Sequence, residues 1–79
     1  MIEIKTDAII FYGKKSSRHC TGKSESEYLE IAEEMAKTKE VTRVRIKAQT
    51  YDDKKPMGCT ISWYGMNNGK PEIIYSEMK

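Results

Sequence analysis

Long apolar runs are missing from this chain, and their absence removes several classes of protein at once. No stretch approaches the ~18 consecutive apolar residues that carry a helix across a bilayer, so no membrane span is expected. The opening MIEIKTDAIIFYG holds two acids and no apolar h-region, so it does not read as a secretory leader. Cysteine is scarce, with only Cys20 and Cys59. Two thiols do not make the dense framework of a small secreted domain, and both are expected free in a soluble cytoplasmic protein. Histidine occurs once, as His19. A structural zinc site needs four ligands, usually in short-spaced pairs, and neither cysteine has such a neighbour. His19 and Cys20 adjoin in the chain, but adjacent side chains seldom aim at one another and no third group orients them. No metal, no cofactor and no catalytic residue is expected, and the chain does not read as an enzyme.

What is present supports a fold. Seventy-nine residues allow one small domain, 1–79, with a modest core. Charged residues make up 33% of the chain, but five Tyr, one Trp and many Ile and Val argue for packing rather than disorder. Ile2 to Tyr12 read as a strand in which Ile2, Ile4, Ala8, Ile10 and Tyr12 share one parity, with Ile9 and Phe11 on the other. Residues 13–23 hold Lys14, Lys15, Arg18 and Lys23 without an acid, and their Ser, Thr and Gly content predicts a flexible basic loop. If exposed there, Cys20 would be the more reactive thiol, because cations lower a thiol pKa.

Ser24 and Glu27 have the spacing of a capping box. Tyr28, Ile31, Ala32 and Met35 then follow helical spacing to about Thr38. Val41 to Tyr51 alternate, with Val44, Ile46 and Ala48 on one side and Arg43, Arg45, Lys47 and Gln49 on the other. A turn follows at 52–56. Met57, Cys59, Ile61 and Trp63 share the apolar parity of the next strand, with Thr60, Ser62 and Tyr64 opposite. Asn68-Gly69 is a strong hairpin signal, Glu72 to Ser76 form a last strand, and the tail frays from about 77. The expected architecture is α+β in the order β-α-β-β-β, one amphipathic helix on a four-stranded, mainly antiparallel sheet. If the first strand pairs parallel to a later one, the helix is its crossover.

One segment has the letters of a phosphate loop. SRHCTGKS ends in Gly22-Lys23-Ser24, whereas the P-loop reads G-x-x-x-x-G-K-S/T between a strand and a helix. Here Ser17 stands where the first glycine should be, and a single β-α unit does not supply the multi-stranded parallel sheet of such enzymes. Anion or nucleotide binding at this degenerate segment is a remote alternative.

Charge distribution says more. Residues 25–40 carry six acids against Lys37 and Lys39, a net of −4, so the rest of the chain carries +6 to reach the total of +2. Glu27, Glu30, Glu33 and Glu34 form an acidic contact face on the helix. Lys14, Lys15, Arg18 and Lys23, with Arg43, Arg45, Lys47, Tyr51 and Tyr64 on outward strand positions, form a basic and aromatic set. Such a set suits docking on a protein, because aromatics and Arg dominate binding hot spots. It also suits nucleic acid, through stacking and phosphate contacts. Size and the lack of a catalytic signature are compatible with a small accessory or inhibitor protein of a phage or mobile element, one that occludes a surface of a larger partner. An uncovered sheet face also suits a homodimer.

Overall fold

The computed structural model describes residues 1–79 as β1 (Ile2–Tyr12), β2 (Ser16–Thr21), α1 (Glu25–Ala36), β3 (Val41–Asp52), β4 (Lys55–Asn67) and β5 (Lys70–Met78). The class is α+β, with one helix on an antiparallel sheet. The sheet has five strands rather than four, in the order β2-β1-β3-β4-β5, and every neighbouring pair is antiparallel. The extra strand is the segment expected to be a flexible loop. Gly13, at φ 62, turns the chain back, and Ser16–Thr21 pair with Asp7–Tyr12. A ladder to β1 supplies backbone partners that the polar side chains of this segment do not advertise, and context overrides strand propensity. β2 and β3 both run antiparallel to β1, so they point the same way with β1 between them. Helix α1 is therefore the crossover of a split β-α-β unit that joins β2, not β1, to β3.

The capping box forms as the sequence predicts. Ser24 Oγ accepts from the Glu27 N–H at 3.4 Å, and the Glu27 carboxylate accepts from the Ser24 N–H at 3.3 Å. The bond from the Ser24 backbone is the main reason that the Glu27 carboxyl is held below its ordinary range, with the Ser24 hydroxyl and Lys23 adding to it against slight desolvation. Tyr28, Ala32 and Met35 of α1 then meet Ala8, Ile10, Cys20, Val44 and Ile46 of the sheet, with Val41 at the edge of the cluster.

Tyr28 fixes the helix on the sheet. Its ring is fully buried, its hydroxyl donates to the Thr6 carbonyl at 2.7 Å, and it accepts from the Lys23 N–H at 3.0 Å. One side chain thus satisfies a carbonyl of β1 and an amide of the helix entry. Twelve residues of helix span only ~18 Å, whereas the molecule is 41 Å long. The near end of β1 therefore projects beyond the helix, which is why Ile4, expected inside, is 66% exposed, and Ile2, of the same parity, 68%.

Strand β4 departs most from the sequence reading. Its hairpin with β3 closes through Asp53 and Lys54 at φ 49 and 70. Pairing starts at Asp52↔Lys55 and Tyr51↔Pro56, then jumps to Thr50↔Gly58, leaving Met57 as a bulge. That one-residue shift reverses which face each later side chain takes. Trp63 falls opposite Arg45 and leaves the core, and Tyr64 falls opposite Val44 and enters it. Cys59, expected inside, is partly exposed opposite Gln49, while Cys20, expected in the loop, is buried beside Ala8. The order of thiol accessibility is the reverse of the expected one. The tail is also ordered further than expected, since Cys59 and Lys79 exchange N–H···O bonds of 2.9 and 2.8 Å. No helix is long and apolar enough to cross a membrane.

Removing only the Tyr28 hydroxyl, as Tyr28→Phe, orphans the Thr6 carbonyl and the Lys23 amide. A loss of about 2 kcal/mol is expected, read as a lower urea midpoint with an unchanged m-value.

Candidate functional site

Residues paired across strands project to the same face of a sheet. The register therefore assembles three rows on the face away from α1. The first is Ser17, Phe11, Arg43, Gly65 and Glu72; the second is His19, Ile9, Arg45, Trp63 and Tyr75; the third is Thr21, Asp7, Lys47, Ile61 and Glu77. Arg43, Arg45 and Lys47 thus run down the middle of the face, as their alternation predicts.

The centre of the arrangement is a cation on two rings. Phe11 and Trp63 stack with centroids 6.1 Å apart and an interplanar angle of 18°. The Arg43 guanidinium lies 4.6 Å from the Phe11 centroid and 5.2 Å from that of Trp63. Its neighbour across β4 is Gly65, where a Cβ would come within 3.2 Å of Ile74 Cδ1. The missing side chain lets Ile74 lie over the strand beside the Arg43 cluster. Ile74 is itself the bulged residue between Trp63↔Tyr75 and Tyr64↔Ile73. Lys14 and Lys15 of the β1–β2 turn share a shallow groove with Phe11 and Arg43. Farther along, Lys5 Nζ sits 5.5 Å from the Tyr51 ring.

No carboxylate lies within 4.0 Å of Arg43, Arg45 or Lys47. Asp7 stands opposite Lys47 in register but meets His19, at 3.4 Å. Arg43 is held on ring faces, and the lack of a carboxylate partner leaves the hydrogen-bonding groups of all three cations available to a ligand.

The remaining expected residues do not join this site. Tyr64 faces the helix and donates from its hydroxyl to Glu25 at 2.7 Å. Desolvation first, then this carboxylate, push its phenol up to about 12. Arg18, paired with Ile10, also takes the helix side and shares a groove with Lys23, Glu27, Glu30 and Glu34. Glu34 is tied to Lys37 at 3.0 Å, and Glu33 lies at the other flank, near the β4–β5 turn. The acidic face of the helix is therefore divided, and its near flank is met by cations. At the P-loop-like segment the amides that would hold a phosphate are occupied: that of Lys23 by Tyr28, and those of Ser24 and Glu27 by the capping box. Ser17 lies in the middle of β2, not in a loop. His19 and Cys20 project from opposite faces of β2, and no group of three or more His, Cys, Asp or Glu is placed to hold a metal ion. Phe11, Trp63, Ile74 and Tyr75 are the site residues that the alternation of β3 alone does not announce.

Comparison with protein-family models, with curated proteins and with solved structures finds no match to this chain.

The Tyr64 contact gives a pH signature. The phenol ionises near 10 in an unfolded chain and at about 12 when folded. Stability from the neutral form is complete below pH ~10 and is lost as pH rises through ~12. The urea midpoint of wild type should exceed that of Tyr64→Phe at pH 8, and the gap should close as pH approaches 12. A gap independent of pH would contradict the assignment.

Proposed function

We propose that this chain is a small non-enzymatic binding module that docks the sheet face opposite α1 on a larger protein and occludes a surface there. The observation that carries the reading is the Arg43 guanidinium seated on Phe11 and Trp63 with no carboxylate partner. An Arg held by aromatic rings, with Ile74 and Tyr75 beside it, has the composition of a binding hot spot. Its position is set before binding, so little side-chain entropy is lost on contact. The partner surface that fits carries a carboxylate for Arg43, apolar contacts around it and a few basic groups at the rim.

Two features favour protein over nucleic acid. The Phe11 and Trp63 rings stack on each other and Arg43 lies over both, so part of their ring surface is already engaged and less of it is offered to bases. Asp7, Glu72 and Glu77 lie in the same three rows as the cations. A polyanion is repelled by acids on both sides of its basic track, whereas a protein surface of mixed charge is not.

The test is capture from the source cell with a photo-crosslinking side chain at Ser17, beside Phe11. A protein captured in stoichiometric yield should survive nuclease treatment and be lost with Arg43→Glu and with Trp63→Ala. The affinity loss on Trp63→Ala should be about 2 kcal/mol or more, as for a hot spot. Capture that disappears with nuclease, or falls steeply with salt across nucleic acids of any sequence, would establish the nucleic-acid reading instead. Capture indifferent to Arg43→Glu would sink the assignment of this face.

A further inference from the structure

The sheet has a second unpartnered feature, at the opposite end of its strands from Arg43. β2 pairs with β1 only from Asp7 to Tyr12. Beyond Thr21 the chain turns away at Gly22, φ 78, and enters α1. Residues 2–6 of β1 therefore have β3 on one side and no strand on the other. Which backbone groups face the vacated lane follows from the ladder. The Met1 carbonyl accepts from the Asp53 N–H at 3.2 Å, so odd-numbered residues of this segment direct their backbone groups to β3. Ile2, Ile4 and Thr6 direct theirs outward. Consistent with this, the Thr6 carbonyl is reached from that side by the Tyr28 hydroxyl.

The Ile4–Thr6 end of the lane opens on a notch with a charge. Ile4, Lys5, Thr6, Lys23, Lys47 and Tyr51 line it. Lys5 and Lys47 have no carboxylate within 4.0 Å, and Lys23 has only Glu27, at 4.0 Å. Asp7, the acid of the notch, is engaged by His19. Three lysines, Lys47 among them from β3, thus line the notch beside a short free strand edge, and Ile2 and Ile4 lie exposed on its helix side.

We propose that this notch receives an extended, acid-bearing peptide segment as an added strand in line with β2. Backbone bonds to Ile2 and Ile4 supply affinity, and alternate side chains supply specificity. Antiparallel alignment, the direction of β2, sets the pattern. A carboxylate sits opposite Lys5, on the side that carries Lys47, and apolar side chains sit opposite Ile2 and Ile4. A neutral polar residue falls opposite Glu3. Thr6 is already engaged by Tyr28, so the free edge is only about four residues long; the binding is weak in isolation and acts as a second contact for a partner held elsewhere. It does not depend on the docking face around Arg43, and either can fail without the other.

The experiment titrates isotopically labelled full-length protein with the peptide acetyl-Val-Asp-Val-Thr-Val-amide and follows backbone amide resonances. Saturating shifts confined to residues 2–7 and 22–23 are expected by low millimolar peptide. Replacing the aspartate of the peptide by lysine, or Lys5→Glu in the protein, should weaken binding about tenfold. Ile4→Pro deletes an N–H that points into the lane and leaves the β3 ladder intact. Its spectrum should stay dispersed while the peptide shifts vanish. Absence of shifts at low millimolar peptide, equal binding of the lysine peptide, or binding unaffected by Ile4→Pro would each overturn the proposal. So would concentration-dependent shifts of the same residues without peptide, since they would place a second copy in the lane.

Discussion

One short helix has to cover a sheet much larger than itself, and the rest of the molecule follows from that mismatch. Twelve helical residues reach ~18 Å, against strands of up to 13 residues, ~40 Å. The helix is spent on one half of one face, where Tyr28, Ala32 and Met35 close over Ala8, Ile10, Val44 and Ile46. Burying a polar-tipped ring there is tolerable only because Tyr28 has two backbone partners. Everything outside the shadow of the helix must survive in water by other means. The open face does so with long cations laid over rings, which shield apolar surface while keeping their charge solvated. On the same face Ile61, outside the core cluster, is only 5% exposed.

Much of this was legible in the residues. The parity of β1 and β3, the capping box at Ser24 and Glu27, and the Asn68-Gly69 turn are local signals, and each appears where the alternation or spacing puts it. The face of β4 was not legible, for a reason that can be stated in one residue. With the two-residue turn and no bulge, Trp63 would pair with Val44 and lie in the core, as its hydrophobicity suggests. Met57 adds a single step, and Trp63 pairs with Arg45 instead. Pro56 beside it was the available hint, since a residue without an N–H sits well at such a break. Strand β2 was hidden differently. Its Ser, Arg, His and Thr look like a loop, and only the glycines at each end, both at positive φ, mark the hairpin and the exit.

The candidate site was legible by halves for the same reasons. Arg43, Arg45 and Lys47 follow from alternation within one strand. Their aromatic partners come from β1 and β4, and joining them requires the register of both ladders. Tyr64 shows how one bulge moves a residue from a presumed contact surface to a hydrogen bond with the helix. The basic cluster at 14–23 likewise separates once its segment is a strand. Arg18 turns to the helix side, where Glu30 and Glu34 face it across a groove, while Lys14 and Lys15 stay at the turn beside Arg43.

The placement of β1 in the sheet has a consequence for when the docking face exists at all. β1 and β2 form one hairpin, and β3, β4 and β5 form one meander; the two blocks pair as strands only along the β1–β3 ladder, whose outermost pair, Ile2 and Asp52, is 50 positions apart in the chain. Phe11 belongs to the first block, and Arg43 and Trp63 to the second. The stacked pair and its guanidinium therefore straddle the seam. No fragment and no partly opened form in which the blocks part can present them together, so the site reports on the integrity of the whole sheet, and a partner that grips it clamps the seam shut.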